Sequence, residues 1–487
     1  MKGRWRRMLL RLAAALAAGV SGANGQEGPL DLGLVIAQQS RPSFSIIGAG
    51  ARAAGMGGAF TALADDASAA SFNPAGLALL IRPEVSAVFA ARRLERSDRD
   101  VVGLDPGNPV RYSDTRVSFS TGDVNFASFT VPVEAWRRNL CLQLSYHRVI
   151  DLEQVSDRRF SGTPAAGQPV EVRQRIDQHG DIHALSVAAA YQLTPRMSLG
   201  TSLNRWRGQW DFASLNELRA SGEATGAVLS YSQDTAIEGW SWNFGVLLRY
   251  PRLDVGFVYR TPYDATLTYK ARVRGSFLPA AEPPREALSL HWPSSWTAGV
   301  AFKPTETWRI TADYYRYYWS KMDIRGVEIE REDGTKRVGS VNFFDLHPST
   351  ETGTLDAGNW HLGSELTLFA GRTPFQLRVG YFQDQQPQGL VAVERGRQLD
   401  EGFSGGVGVK LGPFAVDLAY QRLKSARRQV QFIDPRIVVT EEPLPGQIAL
   451  ARRTVREHRL FLSLLYQFSR ATTDRALRYL FVGPAGE

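Results

Sequence analysis

Residues 47–79 read "IGAGARAAGMGGAFTALADDASAASFNPAGLAL". This stretch is rich in glycine and alanine, and it has neither the alternation of a β-strand nor the apolar stripe of an amphipathic helix. The sequence after it is different, because apolar and polar residues alternate there in segments separated by tight turns and long polar loops. We interpret the stretch as a plug and the rest of the chain as the barrel that it fills.

The segments after residue 84 have a period of two. In one of them, Trp242, Phe244 and Val246 alternate with Asn243 and Gly245. Successive side chains of a strand point to opposite faces, so each segment has one apolar face and one mixed or polar face. An even number of strands, each at least about 9–11 residues long, is typical of bacterial transmembrane barrels. Fourteen such segments lie near 84–95, 122–133, 138–151, 181–193, 196–210, 238–250, 252–263, 293–303, 306–319, 358–370, 373–384, 402–412, 413–424 and 456–469.

The connections between these segments are alternately short and long. Outer-membrane barrels have short periplasmic turns and longer external loops, whereas a soluble β-sandwich has no reason to keep this order. The pattern therefore favours an all-β transmembrane antiparallel barrel with both chain ends on the periplasmic side. The predicted long polar connections are 96–121, 152–180, 211–237, 264–292, 320–357, 385–401 and 425–455.

Aromatic residues lie near the ends of the segments, where a membrane barrel has two aromatic girdles. Trp136, Tyr250 and Trp308 lie near the short turns. The residues near the long loops, which we expect in the outer girdle, are Trp206, Trp210, Trp240, Trp242, Trp296, Trp319 and Trp360.

The first 25 residues have the features of an export signal: a basic start, a short apolar run and small residues before Gln26. Without them the chain has 52 basic and 49 acidic residues, a net charge of +3. Nucleic-acid binding needs a concentrated basic face, so this near balance argues against such a partner. Cys141 is the only cysteine in the sequence, which excludes an internal disulfide.

A barrel of fourteen strands has a lumen too wide for its own side chains to fill, since eight strands already nearly fill theirs. The stretch "GARAAGMGGAFTALADDASAASFNPAGLA" can occupy such a lumen, and together with the strand count it resembles the FadL family of outer-membrane transporters. The resemblance implies an N-terminal hatch at 26–82 inside a barrel at 83–470, followed by an extension at 471–487. It also implies a gating motif, Asn73-Pro74-Ala75, with Asp65 and Asp66 as hatch support just upstream.

The function implied by the resemblance is passive, hatch-gated uptake of long-chain fatty acids or hydrocarbons across the outer membrane. No enzyme activity, metal or other cofactor is expected. The expected partners are a hydrophobic small molecule, outer-membrane lipid and lipopolysaccharide, with the chain as a monomer. The alternative is a non-transporting outer-membrane scaffold or shuttle in cell-surface secretion. The resemblance also implies a lateral opening in the wall, for which Pro132 is a candidate kink unless it marks a strand end.

Five basic residues on the mixed faces are candidate lumen charges: Arg249, Arg260, Arg309, Arg378 and Lys410. One interpretation is structural, with ion pairs that hold the plug to the wall. The other is functional, with one or two cations that meet a substrate carboxylate. An unpaired buried ion is costly, so we expect pairing with hatch groups or with neighbouring charges. On the hatch, Arg52 is a candidate partner and hatch-supporting residue.

Other motifs do not carry a function. Gly48, Gly50 and Ala53 have the spacing of a dinucleotide fingerprint, but no parallel βαβ unit follows. His179 and His183 are four residues apart, in a predicted loop rather than on a helix face. The sequence has no G-x-S-x-G elbow, which disfavours an outer-membrane lipase.

Overall fold

The computed structural model describes residues 49–103, 111–112, 115–162, 170–220, 223–276, 278–281, 286–330, 336–343, 354–387, 399–432 and 448–469. The predicted signal peptide, the first part of the hatch and the predicted C-terminal extension lie outside the described residues.

Fourteen antiparallel strands form one closed sheet. Each pairs with the next in chain order, and the first also pairs with the last, from Glu84 opposite Gln467 to Gly103 opposite Ala449. The predicted fourteen-stranded barrel is therefore confirmed, and its sheet closes on itself. The barrel strands are β1 Glu84–Gly103, β2 Thr115–Ala135, β3 Arg138–Asp151, β4 Val170–Thr194, β5 Met197–Ala220, β6 Glu223–Arg249, β7 Leu253–Arg260, β8 Ser295–Phe302, β9 Trp308–Tyr317, β10 Ala357–Ala370, β11 Thr373–Gln385, β12 Leu399–Leu411, β13 Phe414–Phe432 and β14 Ile448–Gln467.

The outer face of the wall is an apolar belt. Large apolar side chains at alternate positions are exposed on every side, among them Leu144, Val187, Phe244, Val379 and Leu464. A soluble protein rarely exposes contiguous apolar surface of this extent, so the belt is the surface that meets lipid.

The predicted long polar connections are mostly not irregular loops, which corrects the sequence-based boundaries. Several barrel strands continue well beyond the belt, and β4 stays paired with β5 as far as Val170 opposite Ala220. Outside the membrane both faces of a strand meet water, so these extensions need no apolar alternation and gave no periodic signal. Seven shorter strands complete this outer region: Arg111–Tyr112, Gln154–Gly162, Tyr263–Gly275, Leu278–Ala281, Glu286–Trp292, Asp323–Glu330 and Lys336–Asn342.

The predicted outer girdle is correct in part. Trp240, Trp242 and Trp360 are exposed on the outer face. Trp210 and Trp319 are instead buried within the barrel, in a cluster against which Trp206 also packs. The prediction for these three was wrong because distance from a segment end says nothing about which face a side chain occupies.

The described part of the hatch lies inside the barrel and contains only short helices. They are α1 Ala51–Gly55, α2 Ala69–Phe72 and the 3-10 helix Pro74–Leu79; a further 3-10 helix, Trp319–Lys321, follows β9 in the chain. No helix in the described part of the chain is long and apolar enough to cross a membrane.

Candidate functional site

Residues 49–80 of the hatch are almost completely enclosed by the wall. Every residue in this range is buried except five that are half-buried: Arg52, Asp65, Asp66, Ser71 and Leu79. Small side chains allow the hatch backbone to pass close to the strands on several sides. The range therefore blocks the lumen at the level of the belt.

Asn73 organises the turn of the Asn-Pro-Ala motif. Its side-chain oxygen accepts a hydrogen bond from the backbone N–H of Ala75 at 3.1 Å, which caps the 3-10 helix that begins at Pro74. Its amide nitrogen donates to the carbonyl oxygens of Thr61 on the hatch, at 3.0 Å, and Val246 on β6, at 3.1 Å. One buried side chain thus joins two parts of the hatch to the wall.

Two wall glycines allow this close approach. A Cβ added to Gly245 would overlap the side chain of Asn73, and one added to Gly380 would overlap the hatch backbone at Gly57. Any larger residue at either position would have to displace the hatch.

Arg52 joins α1 to the barrel wall. Its Nε and Nη2 atoms lie 2.8 and 2.9 Å from the two carboxylate oxygens of Glu365 on β10. Its Nη1 atom pairs with Asp65 and, at 3.4 Å, with Asp66. Burial alone would lower the pKa of Arg52, but the carboxylates of Asp65 and Glu365 raise it well above its ordinary value. Burial raises the pKa of Asp66, and Arg52 opposes that rise.

Glu365 is the centre of a larger ionic network. It also accepts hydrogen bonds from Arg309 on β9, at 2.9 Å, and from Arg378 on β11, at 2.8 Å. Arg378 then reaches Asp417 on β13 at 2.6 Å. The bidentate and charge-assisted bonds of this network are the strong kind, and they tie the hatch to four strands.

A second attachment holds residues 58–61 of the hatch, which follow α1. Asp313 on β9 accepts hydrogen bonds from the backbone N–H groups of Phe60, at 2.9 Å, and Thr61, at 2.8 Å. The hydroxyl of Tyr315 donates to the carbonyl oxygen of Gly58 at 2.8 Å. Tyr315 therefore links the hatch to the side chains that lie on the long-loop side of it.

An apolar cluster fills the interior on the long-loop side of the hatch; we call it the lumen cluster. Its rings pack closely, with Tyr317 stacked on Trp319 at 5.2 Å between centroids and Trp206 on Tyr263 at 5.8 Å. Its buried members are Ile150, Leu152, Ile182, Trp210, Phe212, Tyr231, Ile237, Ala265, Leu267, Tyr269, Ala271, Leu290, Tyr315, Tyr317, Trp319, Met322, Ile324, Phe343 and Ala357.

Arg260 belongs to the layer of side chains where the hatch meets the lumen cluster. Its Nη1 atom donates to the hydroxyl of Thr297 on β8 at 2.9 Å. It forms no ion pair with any residue that the structure describes. Arg260 is thus a cation at the base of an apolar cluster, with donors left to bind an anion.

The remaining predicted lumen cations lie apart from this site. Arg249 is at the short-turn end of β6, 3.7 Å from Asp254, which also pairs with Lys303 at 2.5 Å. Lys410 is exposed near the same end of β12. The structure thus gathers Arg52, Arg309 and Arg378, and separates Arg249, Arg260 and Lys410 from them.

The wall has a break in backbone pairing between β2 and β3, which we call the seam. The β2–β3 ladder ends at Phe126 opposite His147. Beyond it, residues 115–124 of β2 pair with β1 and residues 148–151 of β3 pair with β4, without a ladder between the two sets.

A β-bulge lies where the seam begins. Val88 faces Phe126 and Phe89 faces Val124, so Asn125 is the extra residue on β2. Pro132, in contrast, lies opposite Cys141 in an uninterrupted ladder, so it does not kink the wall.

Side chains close the seam where backbone bonds do not. The hydroxyl of Thr121 on β2 donates to Asp151 on β3 at 2.7 Å. Arg148 on β3 lies 3.8 Å from Asp123 on β2. Contacts of this kind can exchange without breaking a strand ladder.

Sequence reasoning missed the polar wall residues that hold the hatch carbonyls, and it placed two histidines incorrectly. Asn139 donates to the carbonyl oxygens of Ala78 and Leu80, both at 2.7 Å. His179 and His183 lie within β4 rather than in a loop, and each is paired with a neighbouring aspartate. No group of metal-ligating side chains occurs among the described residues.

These features define the class of protein: a hatch-plugged transmembrane β-barrel of the outer-membrane type. The model of an uncharacterised protein family (UPF0164) matches residues 16–109. No curated protein matches the sequence.

Solved structures of this class are similar over most of the chain. A Pseudomonas aeruginosa FadL homologue shares 14% identity, with 87% of this chain and 99% of that chain covered and a TM-score of 0.60. The P. putida toluene transporter TodX shares 13% identity over 88% and 100%, with a TM-score of 0.52. The Ralstonia pickettii toluene transporter TbuX shares 13% identity over 88% and 100%, with a TM-score of 0.50. The fold implied by the FadL resemblance is therefore confirmed.

Proposed function

We propose that this chain lets hydrophobic molecules cross an outer membrane by passive diffusion, with the hatch as the gate. The lumen cluster is the observation that carries this proposal. The interior of outer-membrane barrels is ordinarily polar, whereas here Trp210, Tyr317, Trp319 and their neighbours make it apolar directly above the plug. An apolar interior has a physical use if apolar molecules pass through it.

The hatch and the cluster are mechanically connected, which provides a way to couple ligand binding to opening. A ligand among the aromatic rings competes for the space around Tyr315, whose hydroxyl holds Gly58. A ligand that binds better when this bond is broken shifts the hatch toward its open state. No nucleotide or metal is needed for such a shift.

The seam is the proposed exit. Ile150 and Leu152 belong to the lumen cluster, and Asp151 between them closes the seam. A ligand that leaves here enters the outer leaflet without crossing the ionic network around Glu365. The gap needs only side-chain movements, because backbone pairing is already absent.

A fatty acid fits the site better than a neutral hydrocarbon does. The guanidinium of Arg260 has no carboxylate partner among the described residues, and it donates a hydrogen bond to the hydroxyl of Thr297. An alkyl chain can lie among the rings while its carboxylate meets Arg260. A wholly apolar cargo would leave this cation without an anion.

Ligand binding tests the proposal directly. The purified protein is titrated with a brominated long-chain fatty acid, which quenches nearby tryptophans. We expect saturable quenching with micromolar or tighter affinity, weakened by Trp319→Ala in the cluster and unchanged by Trp136→Ala at the exposed turn. Titrations without saturation would overturn the proposal and leave the scaffold alternative.

A further inference from the structure

One side of the barrel carries a concentrated positive charge just beyond the apolar belt. We call it the basic face, and it is formed by outward side chains of three adjacent strands, β13, β14 and β1. All six members are exposed: Arg93, Arg99, Arg422, Lys424, Arg452 and Arg456. No ion pair connects Arg99, Arg422, Lys424, Arg452 or Arg456 to another described residue.

The strand register places like charges side by side. Lys424 lies opposite Arg456, and Arg99 lies opposite Arg452. Arg422 and Arg93 flank His458 from its two sides. Like charges directly opposite each other destabilise a sheet, and neighbouring strands are only about 4.8 Å apart.

Two described carboxylates lie in the register of the basic face: Glu95 is opposite Arg456, and Glu401 is opposite Lys424. Glu95 pairs with one member of the face, Arg93, at 3.1 Å. Glu401 accepts hydrogen bonds from Gln383 at 3.3 Å and from Tyr381 at 3.5 Å. Six cations thus face two carboxylates among the described side chains, so an excess of positive charge remains.

Three basic residues on other strands beyond the belt have acidic partners. Exposed Arg207 pairs with Glu238 at 3.1 Å, and exposed Arg325 pairs with Asp264 at 3.3 Å. Half-buried Arg272 lies 3.5 Å from Asp234. The unpaired cations of the basic face differ from these paired positions.

The position of the basic face relative to the belt identifies its partner. Tyr420 and Leu460 are both 46% exposed on the same strands, and Arg422 follows Tyr420 by two residues, a rise of about 7 Å. A lipid whose acyl chains lie along the belt would hold its headgroup at this height. Arginine binds phosphate oxygens in a bidentate manner, and several cations together match a multiply charged group.

We propose that the basic face binds the phosphorylated headgroup of an outer-leaflet glycolipid of the lipid A type. The acyl chains lie along Tyr420, Leu460 and the neighbouring residues of the belt. The phosphates bind between the opposed cations and offset their repulsion. This site is distinct from the lumen and does not depend on what the lumen transports.

The test is binding of bisphosphorylated lipid A to the full-length protein in a non-ionic detergent. The triple variant Arg422→Gln/Lys424→Gln/Arg456→Gln removes three charges from the basic face. The control Arg207→Gln/Arg272→Gln/Arg325→Gln removes the same charge from the paired positions. We expect at least a ten-fold rise in Kd for the first variant and less than a two-fold change for the second. Both triple variants must show the heat-modifiable gel mobility of a folded barrel. If a triple variant does not fold, the corresponding single variants are measured in its place.

Two further probes decide the nature of the ligand. A phosphate-free derivative with the same acyl chains should bind at least ten-fold more weakly than lipid A. Inorganic phosphate at the concentration of the lipid should not displace it. Equal losses in the two triple variants, equal binding of the phosphate-free lipid, or full displacement by inorganic phosphate would each overturn the proposal.

Discussion

The guanidinium of Arg52 on the hatch and the carboxylate of Glu365 on the wall form a bidentate pair inside the barrel, with both N···O distances below 3 Å. Arg309 and Arg378 bind the same carboxylate from neighbouring strands. Glu365 therefore has two structural roles. If the hatch moved, Glu365 would keep its ion pairs with Arg309 and Arg378 within the wall, whereas the hatch would lose its contact with Glu365.

Arg52→Ala is expected to loosen the hatch and leave the barrel folded. The change removes two charge-assisted hydrogen bonds between hatch and wall, and a hydrogen bond to a charged group contributes about 1.5–3 kcal/mol. Single-channel recording should show frequent open events that the parent protein lacks. Arg309→Ala is the matched control, because it removes a pair with Glu365 that lies within the wall. Equal conductance of the two variants would contradict the anchoring role.

Gly380→Ala should displace the hatch through steric overlap rather than charge. A methyl group at this position overlaps the backbone at Gly57 and Met56, and overpacking of this kind costs about 1–3 kcal/mol. We expect a higher conductance and faster proteolysis of the hatch. Gly405→Ala on the adjacent strand is the control, since the nearest atom to its added Cβ is 3.8 Å away. The prediction fails if Gly380→Ala and Gly405→Ala behave alike.

Asn73→Ala tests whether the Asn-Pro-Ala motif gates the barrel or folds it. The change removes three buried hydrogen bonds, each with a net contribution of about 1 kcal/mol. We expect normal assembly in the membrane and altered uptake of a labelled fatty acid by whole cells. Ser71→Ala, at a half-buried hatch position, is the control. If the Asn73 variant does not reach the membrane while the control does, the motif is a folding element.

Arg260→Gln should discriminate between acids and neutral molecules. A hydrogen bond to a charged group contributes about 1.5–3 kcal/mol, so affinity for palmitate should fall at least about ten-fold. Affinity for the corresponding long-chain alcohol should change little. Lys410→Gln removes an equal charge at the opposite end of the barrel and should affect neither ligand. Equal losses for acid and alcohol would show that Arg260 only shapes the cavity.

The sequence was sufficient to predict the parts of the fold that the membrane imposes. Lipid on one face and the lumen on the other force a period of two, so β3 and β10 were predicted to within a residue of their observed ends. The outer part of β5 was missed, because water on both faces removes that period. Trp206 and Trp210 were assigned to the girdle, although they share the inward parity of Ser202 and Asn204.

The candidate site was less accessible to sequence reasoning. Arg52 could be nominated as a partner for wall charges, but its pairing with Glu365 depends on how the hatch is oriented in the lumen. The bulge at the seam shifts the phase of the alternation by one residue. Val124 is exposed and Phe126 is buried although they are two positions apart, because Asn125 is inserted between them. The predicted segment began at residue 122, too close to this shift for it to be recognised.

Deletion of Asn125 tests the seam as the exit. Without the extra residue, Val124 and Phe126 would be neighbours in the ladder. All remaining side chains of β2 would keep their present faces. Continuous pairing can then extend toward Arg148 on β3 and close the gap with backbone bonds. We expect fatty-acid binding to stay within about two-fold, as measured by tryptophan quenching, while uptake by cells falls at least ten-fold. Deletion of one residue from 104–110, which lie between β1 and β2 in the sequence, is the control for chain shortening. Unchanged uptake by a deletion variant that folds and binds would show that the cargo leaves by another route.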